Sequence, residues 1–387
     1  MKLNQSVLLL GIDGTQTLPI AKSLHKKGIK VYGFYYEKLS YGFGTKYVKH
    51  KTITPPVSEP KEYFDFLKMF LSRNKIDVII PLGDHTAQLL SLYKKELSRL
   101  SQFIIPDIEI FNAGYNKNSL MKVCTNNSFP HPRTIDLEDS ASIIPEDIFP
   151  ALIKPNIMTG GRGMVRANNM KEFNEKYPYT RKNYGACHLQ EFISPGGRQL
   201  KVQLFMDNQS NLCYSSVIHK QRFYPENGGS SCCNVTIQDN SLVKMCSEIL
   251  QKIKWIGFAD FDLIEDPKDD IVKVMEINPR IPACVKSAVV SGVDYGSIIF
   301  DASLGFKSRK YEYKPGISLR HIGFDMLWFL RSKNRFKTNP NWFSFWGKNI
   351  YFQDFSWDDP LPFIFGTIGN IKKQFSSEFR KTKVGLR

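Results

Sequence analysis

Two segments of the chain, SVLLLGI near its start and IDVIIPLGD at residues 76–84, are apolar almost without interruption. A strand with one face in water alternates apolar and polar residues. A strand that does not alternate must be covered on both faces, as in a parallel sheet with helices packed on either side. Helical patterns fill the intervals: LPIAKSLHKKG, opening near Pro19 and closing at Gly28, and YFDFLKMFLSRNK. With IKVYGFYY as a further strand, residues 1–110 predict a βαβ domain of the α/β class. A dinucleotide site would suit such a domain, with Glu37 beyond the second strand as ribose ligand. The turn GIDGTQ lacks the third glycine of the GxGxxG fingerprint, however, so a plain βαβ half-domain is the preferred reading.

After residue 110 the texture changes. A helix of about ten residues precedes the proline-marked FPHP, and short strands with turns between them follow: PALIKP, GMVRA, CHLQEFI, RQLKVQLFMD and LCYSSVIHK. A helix, SLVKMCSEILQKI, separates these from GFADFDLIED and IVKVMEINPR. The pattern is α+β with antiparallel strands, and it predicts a second domain over residues 111–305. Residues 306–387 are aromatic and basic and read as a C-terminal extension, with a helical lid packed on the preceding domain as the favoured form. They hold 16 Lys+Arg against 6 Asp+Glu, a net of +10 out of +16 for the chain. That balance calls for an acidic partner: nucleic acid, anionic lipid or a phosphorylated substrate.

At 387 residues the chain exceeds one ordinary core, and no apolar run reaches the ~18 residues of a membrane span. The N-terminal apolar run has no small-residue cleavage site and reads as a first strand. The seven cysteines are scattered and include no CxxC pair, so reduced thiols and a cytoplasmic location are expected.

Four stretches carry chemistry. In VMEINPR, strand alternation lines Glu276, Asn278 and Arg280 on one face, and Pro279 ends the ladder. The preceding GFADFDLIED is joined to this strand by the tight turn PKDD, so the two should lie antiparallel with Asp262 near Glu276 and Asn278. Two carboxylates and an amide oxygen suit Mg²⁺, and an arginine beside them suits a transferring phosphoryl group. Asp260 shares the face of Asp262 and is a rival ligand; a solvated hairpin is the plain alternative. In ALIKPNIMTGGRGMVRA, a strand ends at Lys154 and a turn holding Gly160, Gly161 and Gly163 leads to the next strand. Such a turn lets backbone N–H groups approach phosphates, with Lys154 as a point charge, though an ordinary hairpin has equal claim. LQEFISPGGRQLKVQL reads alone as a hairpin whose backbone can meet a planar base. HKQRFYPENGGSS reads as a basic loop, with Lys220 and Arg222 suited to phosphate or carboxylate. His219 beside it reads as structural.

In this order, over about residues 1–305, the pieces resemble the ATP-grasp superfamily of carboxylate–amine and carboxylate–thiol ligases. EINPR is the most specific element, and the glycine hairpin and QEFI add weight by position. The resemblance implies a pre-ATP-grasp βαβ domain, then an ATP-grasp domain of two α+β subdomains with ATP between them. Matched motif by motif, Lys117 and Lys154 hold phosphates under the Gly160–Gly163 loop. Glu191, Phe192 and Ile193 form the adenine hinge, and Gln199 meets the ribose. Asp262, Glu276 and Asn278 bind Mg²⁺ (or Mn²⁺), and Arg280 steadies an acyl phosphate. Asp262 stands where Glu or Gln is commoner, and Gln199 where an acid or histidine is. RFYPENGGSS further resembles a loop of a stand-alone bacterial subgroup, some of whose members join amino acids to cell-wall or surface-polysaccharide precursors. There Lys220, Arg222 and Ser230 match positions that hold the reacting carboxylate; FSWDDPLPF is similar to the same subgroup.

The implied reaction activates a carboxylate as an acyl phosphate and couples it to an amine. Small-molecule carboxylate and amine partners follow from it, with a glycan or lipid-linked precursor, peripheral membrane contact and a homodimer as extensions; nucleic acid ranks below these. Two other readings compete: a biotin-dependent carboxylase-like enzyme, and a non-catalytic nucleotide-binding scaffold at a membrane. The tryptophans Trp328, Trp342, Trp346 and Trp357, set among lysines and arginines, motivate the last.

Overall fold

The computed structural model describes residues 5–158, 160–226, 230–307 and 311–375, except for the side chain of Gln374. Strands β1 (Ser6–Leu10), β2 (Lys30–Tyr35), β3 (His50–Ile53) and β4 (Val78–Pro81) form a parallel sheet in the order β3-β2-β1-β4. The unbroken apolar runs have the cause inferred for them. Leu8, Leu10 and Ile79 enter one core while Val7, Leu9, Val78 and Ile80 enter another on the opposite face. The second of these cores is completed by the helix Tyr295–Ser303, which returns to pack on the helix Thr17–Lys26. Lys27 Nζ bonds both oxygens of Asp301 at 2.8 Å across that contact. Residues near 300 therefore belong structurally to the first unit, not to the sheet that precedes them.

Two further sheets follow. Strands β5 (Thr134–Asp136), β6 (Ala151–Pro155), β7 (Val165–Ala167) and β8 (Cys187–Glu191) form a small antiparallel sheet ordered β5-β8-β6-β7 over its own core. The larger sheet contains β9 (Gln199–Met206), β10 (Leu212–Tyr224), β11 (Ser230–Ile237), β12 (Gly257–Asp266), β13 (Ile271–Asn278), β14 (Ser318–Arg320) and β15 (Ile350–Phe352). Its order is β13-β12-β9-β10-β11-β14-β15. One face, with Leu200, Val202, Leu204, Ala259, Phe261 and Leu263, shares the first unit's core. Trp255, fully buried, stacks on Phe111 there.

The C-terminal segment packs on the preceding domain, with its helix Ile322–Arg331 against β10 and β11. It supplies β14 and β15 to the large sheet, and its last helix, Leu361–Phe375, packs on the short helix Tyr41–Gly44 of the first unit. Trp328 and Trp342 are buried beside Cys232, and the Trp342 ring stacks on Phe329 at 3.9 Å; Trp346 and Trp357 remain exposed. Among these aromatics Asp325 receives Arg222 Nε and Nη2 at 2.8 and 3.0 Å and Arg320 Nε at 2.6 Å. All three side chains are at most 2% exposed.

Truncating Asp325 would leave two buried guanidinium groups without their carboxylate. Asp325→Ala is expected to cost about 3–5 kcal/mol, read from denaturant unfolding monitored by tryptophan fluorescence. An unshifted midpoint would mean that the cluster is solvated.

Candidate active site

The other face of the large sheet is polar. Register brings Asp262 opposite both Lys201 and Glu276, and Asp260 opposite Gln203 and Asn278. An extra residue, Met275, between the Asp262–Glu276 and Leu263–Val274 pairs keeps Glu276 and Asn278 on the polar side while Val274 and Ile277 stay in the core. Lys201 Nζ lies between the two aspartates, 2.6 Å from Asp260 Oδ2 and 2.8 Å from Asp262 Oδ2. Lys220 Nζ bonds Asp262 Oδ1, and Asn278 Nδ2 donates to Asp262 Oδ2 at 2.9 Å. Burial alone would raise the pKa of Asp262, but Lys201 and Lys220 outweigh it and hold the carboxyl well below the usual range. Asp260, fully buried, is pushed up to about 6 by that burial, against the pull of Lys201.

The second wall comes from the small sheet. Lys154, near the end of β6, is 6% exposed and donates to Gln190 Oε1 at 2.8 Å. Lys117, at the start of a helix capped by Asn116, bonds the Met158 carbonyl at 2.7 Å and pairs with Glu276 Oε2 at 3.2 Å. That ion pair ties the helix to β13, and the one between Lys273 and Glu191 (3.3 Å) joins the two sheets. Burial lowers the Lys154 pKa to about 8; Glu276 opposes the shift and Lys117 reinforces it. The turn between β6 and β7 holds Gly160, Gly161 and Gly163 at φ of +68°, +71° and +70°, a region that side chains disfavour. A Cβ on Gly163 would also fall 2.6 Å from the Tyr184 ring. Thr159, in the same turn, lies outside the described residues.

Glu191 ends β8, and Phe192 and Ile193 continue from it. The N–H groups of Glu191 and Phe192 bond the carbonyls of Arg133 and Pro150, both at 2.9 Å, and the Arg166 guanidinium covers the Phe192 ring. Gln199 opens β9 and pairs with Lys220 and Ile264, one step along the polar face from Lys201. Arg280, just beyond β13, is oriented by Asp84, whose Oδ1 accepts its Nε at 3.2 Å. Burial disfavours the Arg280 charge, but Asp84, Asp260 and Asp262 more than restore it.

Arg222 does not join the site. Lys220 pairs with Asn234 and Arg222 with the adjacent Cys233, so an irregularity in β10 turns Arg222 to the other face, where Asp325 holds it. The segment read as a basic loop is in fact the end of β10 and the start of β11. Ser230 pairs with Tyr224 at that hairpin, and residues 227–229 between them lie outside the described residues. His219 pairs with Leu200 and so faces away from Lys220. Sequence reasoning passed over Lys201, Gln190 and Asp84. Lys201 was accessible by alternation, because it stands between Gln199 and Gln203 on their shared face; Gln190 and Asp84 required the fold.

The donor chemistry suits a hard divalent cation, although Asp262 is already engaged by lysines. Glu276 contributes a carboxylate paired with Lys117, and Asn278 stands next on its face. Asp260 Oδ1 is buried without a hydrogen-bond partner among the described residues. Both oxygens of Asp262 already accept from lysines. Among the described residues no group of three His, Cys, Asp or Glu side chains forms a ready cage, so such an ion needs oxygens from its ligand as well.

The profile of a family described as "Carbamoyl-phosphate synthase L chain, ATP binding domain" matches residues 115–300, the span that carries both walls of this site. That span is a little under half of the chain, and over it the chain is similar to this ATP-binding domain. The chain is also similar to the D-aspartate ligase of Enterococcus faecium, 25% identical over 243 residues. That match covers 54% of this chain and 55% of the relative, so the two correspond over little more than half their length. Among solved structures, a biotin carboxylase–β,γ-ATP complex from Campylobacter jejuni superposes with a TM-score of 0.65 at 16% identity. It covers 79% of this chain and 73% of the other. An L-amino acid ligase from Bacillus licheniformis gives 0.58 at 18% identity, covering 78% and 75%. At these identities the structures share the ATP-grasp fold.

The Lys154 pKa sets a pH test. Charged Lys154 is disfavoured by its burial, so it loses its proton as pH rises through about 8, while an unfolded lysine keeps its proton to about 10.5. Between these values the unfolded state binds more protons, and this group's contribution to stability rises with pH. Affinity for a phosphate ligand that needs the charge should fall over the same interval, toward tenfold per pH unit. ATP titrations from pH 7 to 9.5 should show that slope in the wild type and lose it in Lys154→Met.

Proposed function

We propose that this protein is an ADP-forming ligase that activates a carboxylate as an acyl phosphate and couples it to an amine. The observation that carries the proposal is the convergence of Lys117 and Lys154 from one wall with Glu276, Asn278 and Arg280 from the other. Lys117 and Lys154 would hold the nucleotide phosphates beneath the Gly160–Gly163 turn, and the Glu191–Ile193 segment, chiefly the backbone of Ile193, would meet the adenine. Gln199 is the candidate ribose contact. Glu276 and Asn278 would hold Mg²⁺ or Mn²⁺, with Asp262 joining them when Lys220 releases it. Such an ion supplies positive charge to the phosphate oxygens as negative charge builds there.

The substrate carboxylate oxygen attacks the γ-phosphorus, and the bond to the β–γ bridging oxygen breaks to release ADP. The amine lone pair then attacks the acyl carbon, loses a proton, and expels inorganic phosphate. No enzyme nucleophile is required, so the protein acts by positioning and by fixed charge. Arg280, aimed by Asp84, would steady the acyl phosphate. Lys220, paired with Asp262 at the edge of the row, would meet the reacting carboxylate.

The D-aspartate ligase and L-amino acid ligase likenesses support an amino acid among the substrates. The net charge of +16 favours an acidic or phosphorylated second substrate, such as a glycan or lipid-linked precursor of a cell wall or surface polysaccharide.

Phosphate release from Mg·ATP should require both a carboxylate and an amine when pools of each are screened. With the carboxylate labelled in ¹⁸O, label should appear in the released phosphate. Arg280→Lys should lower turnover by about 100-fold or more while nucleotide affinity stays within about threefold. Release that depends on bicarbonate and on no amine would favour the carboxylase alternative, and release without ¹⁸O transfer would exclude an acyl phosphate.

A further inference from the structure

The last described helix, Leu361–Phe375, carries a second surface unrelated to the nucleotide site. One of its faces is locked to the first unit at two glycines. A Cβ on Gly366 would stand 2.3 Å from the Tyr41 ring, and one on Gly369 would stand 2.0 Å from the Leu39 carbonyl oxygen. Asn370 adds a hydrogen bond to the Tyr41 hydroxyl at 3.0 Å. This close approach fixes the helix rotation, and with it the direction of the opposite face.

That opposite face is apolar. Leu361, Ile364, Ile368, Ile371 and Phe375 recur at spacings of three and four, which stacks them along one stripe. Their exposure runs from 48% at Ile368 to 79% at Phe375, where a helix facing water would carry polar residues. At 15 residues the helix is about 22 Å long, too short to cross a bilayer and well suited to lie in its interface.

Charge decides the occupant. The helix contains no acidic residue, Lys372 is exposed beside the stripe, and Lys373 is paired with Glu37 at 2.7 Å. The two acids just upstream are already paired: Asp358, though exposed, bonds Lys22 and Tyr47, and the buried Asp359 bonds Thr45. The sequence that follows adds Arg380, Lys381, Lys383 and Arg387 against Glu378 alone. Pairing two copies through this stripe would bring like charges together, whereas an anionic surface neutralises them.

We propose that the Leu361–Phe375 helix docks the protein on an anionic lipid bilayer, with its apolar stripe in the headgroup–acyl boundary. The proposal does not depend on the ligase reading. It is tested by floating full-length protein with phosphatidylglycerol or phosphatidylcholine vesicles at low and high salt. Wild type should rise with phosphatidylglycerol vesicles, far less with phosphatidylcholine, and less as salt increases. Ile368→Glu with Ile371→Glu should reduce the bound fraction by more than about tenfold while the thermal melt stays intact. Lys372→Glu should weaken binding less and make its loss with salt shallower. No flotation at low salt, or equal flotation of wild type and the double variant, would overturn the proposal. So would a dimer in sedimentation equilibrium that the double variant splits without any vesicle binding, which would assign the stripe to a second copy.

Discussion

The ammonium of Lys201, buried between Asp260 and Asp262, is the interaction on which the site depends. Two carboxylates side by side on a covered sheet face would repel and protonate; one shared cation keeps Asp262 ionised and leaves Asp260 with a raised pKa. Around this pair the charges alternate outward. Lys220 meets Asp262, Lys117 meets Glu276, and Arg280 meets Asp84. Four cations and four carboxylates thus hold one another in place.

This row exists because the large sheet has two unlike faces. Leu200, Val202 and Leu204 alternate with Gln199, Lys201 and Gln203, so the dry face is anchored in the core while the other stays polar. A one-residue slip would exchange the faces, and burial of the dry one forbids it. Register irregularities then place single residues. The extra Met275 keeps Glu276 beside Asp262, and the irregularity after Lys220 sends Arg222 to a structural role with Asp325.

Much of this was legible in the sequence. Unbroken apolar runs announced the parallel sheet, and alternation with a tight turn aligned Asp262, Glu276 and Asn278, because both signals are local and periodic. The role of Arg222 was not legible: it was grouped with Lys220 in a basic loop, and only the pairing of β10 with β11 reveals the change of face. Nor was the destination of the C-terminal segment, whose strands Ser318–Arg320 and Ile350–Phe352 are three residues long and gain their pairing from β11 and from each other. The split of its aromatics, with Trp342 packed on Phe329 and Trp357 left in solvent, is likewise a tertiary outcome.

In the proposed ligase, the Glu276–Asn278 row holds a divalent ion together with the nucleotide phosphates. The most direct measurement is electron paramagnetic resonance titration of Mn²⁺·ATP into wild type and Glu276→Gln, with metal-free ATP binding followed in parallel. The account predicts that Mn²⁺·ATP affinity drops by about tenfold or more in the variant while metal-free ATP binds nearly as before. Equal Mn²⁺·ATP affinity in the two proteins would contradict it.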